Sequence, residues 1–72
     1  MVTVTVEFAV DYANGETPES ALAFESEGNP GLTFVYTGDT SNGHPIATVT
    51  GPSDDVVRWL DTNGYDPADY LP

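Results

Sequence analysis

Valine and phenylalanine recur at every second position at the start of the chain. Over the first eleven residues, apolar side chains alternate with mostly polar ones, at positions Val2, Val4, Val6, Phe8 and Val10. A period of two with many β-branched residues is typical of a strand that buries one face. We therefore predict a strand over 2–10, followed by a turn at Asn14-Gly15, where both residues tolerate a positive φ.

The segment 17–27 is compatible with two structures. As a helix it would begin with Thr17 as N-cap and Pro18 at the first helical position. Leu22 and Phe24 would then lie about 160° apart around the helix axis, whereas in a strand they share one face. Two glutamates would also lie near the negative end of the helix dipole. We predict a strand, with a helix as the alternative.

Two further apolar runs, 32–37 and 46–50, are rich in threonine, valine and aromatic residues. A polar loop containing Asn42-Gly43 and closed by Pro45 separates them. Two such runs joined by a short glycine-containing loop predict an antiparallel hairpin.

The best helical pattern follows this hairpin. Ser53 is a suitable N-cap, and the two aspartates after it lie in the first turn, where the helix dipole favours anions. A broad apolar face follows, made of Val56, Val57, Trp59 and Leu60. Asn63-Gly64 predicts the helix end.

Beyond that end, Tyr65 is expected to fold back against the last helical turn. A second short turn is expected to start at Asp66, with Pro67 at its first helical position and Asp69 at its third. Tyr70 and Leu71 would then dock at the end of the chain.

These elements predict a single α+β domain over 1–72. Its core would be a small antiparallel sheet of three or four strands with the C-terminal helix packed on one face. If 17–27 is helical, the order becomes βαββα, a truncated ferredoxin-like arrangement. Seventy-two residues are close to the lower limit for a single core, and without cysteine no disulfide can support it.

The charge of the chain is strongly one-sided. The chain has twelve carboxylates, a single arginine and no lysine, which gives a net charge of −11. Self-repulsion opposes compaction, so such a surface suggests that a basic partner or a saline solvent favours it, with chance acidity in a small protein as the further explanation. Nucleic acid and anionic bilayers would repel it. The N-terminus lacks a basic signal-peptide region, and no apolar run has the length of a membrane span, so we expect a cytoplasmic protein without a membrane partner.

Residues able to carry chemistry are few. The one histidine, His44, lies in the polar hairpin loop, and the absence of lysine and cysteine excludes Walker-type phosphate sites and thiol chemistry. The stretch that starts at Asp61 begins like an EF-hand loop, but it has no glycine at the sixth position and no glutamate at the twelfth. We expect neither an enzyme nor a bound metal or cofactor.

Arg58 and Trp59 are expected to have structural roles. Arg58 is expected to pair with Asp54 or Asp61, both within helical pairing distance. Trp59 is expected to belong to the core.

The remaining acidic residues suggest a partner. They form two groups that flank the apolar layer, and a compact acidic protein can occupy a cationic groove built for DNA, which it would reach by electrostatic steering. We expect a non-enzymatic inhibitor or adaptor that binds a basic protein surface such as a nuclease groove. Phage-encoded DNA mimics with anti-restriction or anti-CRISPR activity are of this physical type, and they act in the host cytoplasm. The predicted partner-binding residues are Asp54, Asp55, Asp61, Asp66 and Asp69, then Glu16, Glu19, Glu25 and Glu27.

Two other functions explain the same sequence. A halophile-adapted domain would use its acidity for solubility, with carboxylates on all faces. An assembly module would pair the first strand, with Thr3, Thr5 and Glu7, edge to edge with another copy. A homodimer is compatible with all three functions, because so small a core gains from sharing apolar surface.

Overall fold

The computed structural model describes residues 1–71 and has the element order βαββα. Its strands are β1 (Val2–Glu7), β2 (Thr33–Ser41) and β3 (His44–Gly51). Its helices are α1 (Pro18–Gly28) and α2 (Ser53–Thr62), and short 3₁₀ turns occur at Tyr12–Asn14 and Pro67–Asp69. The predicted α+β class is confirmed. None of the described helices is both long and apolar enough to cross a membrane.

The three strands form one antiparallel sheet in the order β1-β3-β2. Val4 of β1 lies opposite Val49 of β3, which in turn lies opposite Phe34 of β2. The two outer strands therefore run in the same direction, with α1 connecting them and β3 inserted between them. This is the split βαβ connection of ferredoxin-like sheets, here with three strands.

The strand predicted for 17–27 is wrong, because this segment forms α1. A reciprocal capping box fixes its start: the Ser20 amide donates to Thr17 Oγ1 at 3.2 Å, and the Thr17 amide donates to Ser20 Oγ at 2.9 Å. The separation of Leu22 and Phe24 around the axis is tolerated because the helix buries only one of them. Leu22 lies in the core, and Phe24 remains 76% exposed.

The first strand and the hairpin differ from their predicted bounds. β1 ends at Glu7 instead of residue 10, although the Phe8 amide still donates to the Pro45 carbonyl at 3.0 Å. The hairpin strands extend almost to the turn, where Asn42 (φ 53°) and Gly43 (φ 82°) are both left-handed. Such a two-residue turn matches the twist of the strands, so it needs less loop than expected.

The prediction of Ser53 as the N-cap of the C-terminal helix is also wrong. Pro52 occupies the cap position, and Ser53 is the first helical residue. The backbone carbonyl of Pro52 accepts from the amides of Asp55 and Val56, each at 3.0 Å. A proline can serve here because only its carbonyl is needed by the first turn.

The core lies between one face of the sheet and the two helices. β1 contributes Val4 and Val6, β3 contributes Val49, and α2 contributes Val56 and Leu60. The expected core position of Trp59 is confirmed, since only 6% of the residue is exposed. The expected fold-back of the next segment is confirmed too: the Tyr65 amide donates to the Leu60 carbonyl at 2.9 Å, and its ring stacks on Trp59.

The opposite face of the sheet, termed here the open sheet face, is not covered by α1 or α2. Its residues alternate with the buried ones along the strands: Thr3, Thr5, Glu7, Thr33, Val35, Thr37, Ile46, Thr48 and Thr50. Most of these side chains are exposed, and Thr3 and Thr50 share a hydrogen bond between their hydroxyls at 2.9 Å. Six threonines and a single carboxylate make this face nearly uncharged.

Candidate functional site: the cleft between the two helices

Two cavities lie along the line where α1 and α2 meet. The larger one, about 440 Å³, lies between the C-terminal end of α1, the loop at 28–32 and α2, and is termed the polar cavity. The smaller one, about 310 Å³, lies between α1, the residues after β1 and the end of α2, and is termed the aromatic cavity. Glu25, Trp59 and Asn63 line both, so the two cavities form one cleft with a common wall.

The common wall is held by one hydrogen bond between the helices and by two asparagine side chains that bond within the helix ends. Nε1 of Trp59 donates to Oε2 of Glu25 at 3.1 Å. The side-chain amide of Asn29 donates to the Glu25 carbonyl, and that of Asn63 donates to the Trp59 carbonyl, each at 2.8 Å. The two asparagines donate to carbonyls in the last turns of their helices, and the Trp59 carbonyl also accepts from the Asn63 backbone amide at 3.1 Å. Glu25 therefore has a structural role as well as a predicted partner-binding one.

The polar cavity contains the one ion pair of the described residues. Nη1 of Arg58 lies 3.6 Å from Oδ1 of Asp55, and the two side chains are 75% and 38% exposed. The predicted pairing of Arg58 with Asp54 or Asp61 is therefore wrong, and the arginine uses the aspartate three residues before it. So exposed a pair contributes little to stability, which leaves both charges available to a ligand.

Gly31 closes the wall of the polar cavity next to this ion pair. A Cβ at that position would lie 2.9 Å from Oδ2 of Asp55, which is closer than normal packing allows. The absence of a side chain thus gives the Asp55 carboxylate its space.

The aromatic cavity is surrounded by rings. Its lining includes Phe8, Phe24, Phe34, Trp59 and Tyr65. The Trp59 ring contacts Phe34 edge-on at 5.4 Å and stacks on Tyr65 at 5.6 Å between centroids. Glu16 and Glu25 supply the carboxylates of its lining, and Leu22 and Val49 supply buried aliphatic surface. The arrangement is an apolar recess with two acids.

Tyr65 joins this recess to the edge of the sheet. Its hydroxyl donates to the Glu7 carbonyl. Burial raises the pKa of Tyr65 above its ordinary value of 10.0, and the nearby Tyr70, Glu25 and Glu7 raise it further because they disfavour a second negative charge. The phenol is therefore held in its neutral, donating form.

The nine predicted partner-binding carboxylates do not converge on one point. Glu16 and Glu25 line the aromatic cavity, and Glu25 and Asp55 line the polar one. The other six line neither cavity: Glu19, Glu27, Asp54, Asp61, Asp66 and Asp69. Besides Glu25 and Asp55, two more of the nine have local roles, since Glu16 Oε1 accepts from the Asp11 amide at 3.1 Å and Asp66 Oδ1 accepts from the Ala68 amide at 3.0 Å.

The carboxylates are nevertheless distributed unevenly over the molecule. Of the twelve, only Glu7 in β1 and Asp39 near the hairpin end of β2 lie in strands. The other ten lie on the helices, the connecting segments and the C-terminal turn. The helical side is strongly negative, and the open sheet face is close to neutral.

The cleft itself was missed by the sequence-based reasoning. The Glu25 and Trp59 side chains that form its wall are separated by 34 residues. The sequence contained one indication of a cleft beside α1. A helix over this segment could not bury Phe24 together with Leu22, so an apolar side chain would be left outside the core.

Neither chemistry nor similarity assigns an activity. His44 is exposed beside the hairpin turn, and the described residues contain no group of three or more histidine or acidic side chains able to hold a metal ion. Comparison with the models of known protein families, with curated proteins and with solved structures finds no match for this chain.

Proposed function

We propose that this protein is a non-enzymatic acidic inhibitor or adaptor that binds a basic protein surface, such as the nucleic-acid groove of a nuclease. A DNA mimic directed against restriction or CRISPR nucleases, of the kind that phages encode, is the specific form of this proposal. One observation carries it: ten of the twelve carboxylates lie on the helices, the connecting segments and the C-terminal turn, and only two lie in strands.

This asymmetry favours a partner over a solvent as the reason for the acidity. A halophilic protein gains from carboxylates on every face, because each one binds water and salt. A protein that binds a cationic groove needs negative charge on the contacting side only, and it tolerates a neutral opposite side. The helical side supplies the charge, and the open sheet face supplies the neutral side.

The partner would contact α2, the C-terminal turn and the exposed side of α1. These elements carry Asp54, Asp61 and Asp69 together with Glu19 and Glu27, all exposed. Exposed carboxylates are readily screened by salt, so binding would be fast in dilute buffer and would weaken steeply as salt is added.

A competition experiment tests the proposal. The protein is mixed with each of a panel of restriction, repair and CRISPR nucleases, and the displacement of fluorescently labelled duplex DNA is measured over a series of salt concentrations. We expect displacement from at least one nuclease, and we expect it to be lost as salt rises. A lack of displacement across the panel at the lowest salt concentration would contradict the proposal.

One observation favours a second candidate, the assembly module. β1 pairs with β3 on one side only, so it is an edge strand. The Phe8 amide points toward β3, and by alternation the backbone groups of Thr3, Thr5 and Glu7 point outward. A Thr5→Pro substitution would remove an outward amide without touching the β3 ladder. This candidate requires a dimer in sedimentation that Thr5→Pro dissociates, and a wild-type monomer at high concentration would exclude it.

A further inference from the structure

The aromatic cavity has a lining dominated by aromatic and aliphatic side chains. Five aromatic rings line a space of about 310 Å³, and one of them, Phe24, is 76% exposed. A volume of this size is at the lower limit of ligand pockets in proteins. It suits one side chain and its flanking backbone, and it is too small for a helix or a nucleotide.

The geometry of α1 explains why the space is open. Among the residues of α1, only Leu22 is fully buried. Phe24 lies on another side of the helix and so cannot follow Leu22 into the core. The helix therefore contributes one fully buried residue to the core and is joined to α2 by the Glu25–Trp59 hydrogen bond, and a recess lies between it and the Tyr65 ring.

Each of the two carboxylates of this cavity uses only one of its two oxygens as a hydrogen-bond acceptor among the described residues. Glu16 uses Oε1 to accept from the Asp11 amide, and Glu25 uses Oε2 to accept from Trp59. Within residues 1–71 the other oxygen of each carboxylate makes no hydrogen bond. Each can accept a charge-assisted bond from a lysine or an arginine without losing its present partner.

An apolar recess lined by two carboxylates complements an apolar side chain that lies next to a cation. An apolar side chain alone would leave the acids without a counter-charge, and a cation alone would lose hydration in an aromatic recess. We propose that the aromatic cavity receives an aromatic side chain of the basic partner, whose neighbouring lysine or arginine pairs with Glu16 and Glu25. This inference rests on the proposed function and specifies how the partner is anchored.

Short peptides provide a direct probe. Acetyl-Phe-Lys-amide carries both features, acetyl-Phe-Gln-amide lacks the cation, and acetyl-Gly-Lys-amide lacks the ring. Each is titrated to millimolar concentration while ¹H–¹⁵N spectra and Trp59 fluorescence are recorded. We expect acetyl-Phe-Lys-amide to bind several-fold more tightly than either control and to shift the resonances of Phe8, Phe24, Tyr65 and the Trp59 indole.

A pair of matched variants tests the role of the charge. Glu16→Gln keeps an acceptor for the Asp11 amide and removes the charge at the cavity. Glu19→Gln removes the same charge from an exposed residue that lines neither cavity. We expect Glu16→Gln to weaken acetyl-Phe-Lys-amide several-fold, toward the affinity of acetyl-Phe-Gln-amide, and we expect Glu19→Gln to leave it unchanged.

Several outcomes would overturn the inference. Equal affinity for acetyl-Gly-Lys-amide, with shifts spread over all the carboxylates, would mean condensation of cations on an acidic surface only. Shifts confined to the polar cavity, or no binding of acetyl-Phe-Lys-amide, would also overturn it.

The inference and the proposed function fail in different ways. If the protein displaces DNA from a nuclease but does not bind acetyl-Phe-Lys-amide, the proposed function stands and the aromatic anchor is wrong. If the peptide binds in the cavity but no nuclease in the panel loses its DNA, the anchor is confirmed as a site and the proposed function is contradicted.

Discussion

The indole Nε1 of Trp59 donates a hydrogen bond to Oε2 of Glu25 at 3.1 Å, and this contact joins α2 to α1 across 34 residues of sequence. It forms the wall shared by both cavities, and it holds the one carboxylate that lines both of them. Glu25 therefore belongs to the predicted acidic surface and also accepts a hydrogen bond from a tryptophan of the core.

Removal of this acceptor should destabilise the protein. In Glu25→Ala the largely buried indole N–H loses its partner, which should lower the free energy of unfolding by about 1–3 kcal/mol. Glu25→Gln keeps an acceptor oxygen and should lower it less. Urea denaturation followed by circular dichroism measures both variants. Glu27→Ala, on an exposed position of the same helix, is the control and should change stability by no more than about 0.5 kcal/mol.

Tyr65 should give the protein a distinctive alkaline pH dependence. Because burial raises its pKa in the folded state, the neutral phenol favours folding, and this stabilisation is complete below pH 10. It should be lost as the pH rises from 10 through the raised folded-state pKa. Thermal unfolding over this range should show a fall in Tm that is weaker in Tyr65→Phe. Tyr12→Phe, at an exposed tyrosine, should leave the wild-type pH dependence intact.

Tyr65→Phe should also have an effect at neutral pH, since it removes the hydrogen bond to the Glu7 carbonyl. The expected loss is about 0.5–1.5 kcal/mol. A variant that is as stable as the wild type both at neutral pH and above pH 10 would show that the hydroxyl does not tie the C-terminal segment to β1.

Gly51 at the end of β3 should tolerate no side chain. A Cβ there would lie 2.5 Å from Cδ2 of Leu32 and 2.9 Å from the Gly31 carbonyl oxygen. Gly51→Ala should therefore cost about 1–3 kcal/mol through overpacking.

Gly28→Ala is the matched control for Gly51→Ala. Its Cβ would meet no atom within 4 Å, and the residue is helical. It should be neutral or stabilising by about 0.4–1 kcal/mol, because alanine restricts the unfolded chain. Similar losses in both variants would contradict the packing of the 28–32 loop against β3.

Local sequence patterns were sufficient for most elements, and the exceptions have a common physical cause. β1, the hairpin and α2 were predictable because their apolar period and turn residues act over a few positions. α1 was not predicted correctly, because two local signals disagreed. The residues at its start favoured a helix, but Leu22 and Phe24 could not both be buried by one face of a helix. The Ser53 cap was wrong for a related reason: the backbone of Pro52 fulfilled the role that the serine side chain was expected to fill.

The candidate site was less predictable than the fold. The acidity could be counted from the sequence, but its uneven distribution over the molecule depends on which side of the sheet the helices cover. The cleft depends on a contact between Glu25 and Trp59, and pairing at this separation is set by the tertiary fold alone.

Folding in dilute buffer separates a partner-driven acidity from a solvent-driven one. We expect a cooperative unfolding transition at low salt, with a modest rise in Tm as potassium chloride screens the carboxylates. Circular dichroism from low salt to molar potassium chloride measures this. A chain that folds only near molar salt would support halophilic adaptation instead.

The most direct test of the account compares two double variants that change the net charge equally. Asp54→Asn with Asp61→Asn removes two charges from the helical side, whereas Thr5→Lys with Thr33→Lys adds two positive charges to exposed positions of the open sheet face. DNA displacement is measured with the nuclease that the wild type inhibits most strongly. The account predicts a loss of affinity of about tenfold, equivalent to about 1.4 kcal/mol, for the aspartate pair and little change for the threonine pair. Equal losses in the two variants would contradict it, because the net charge and not the acidic side would then govern binding.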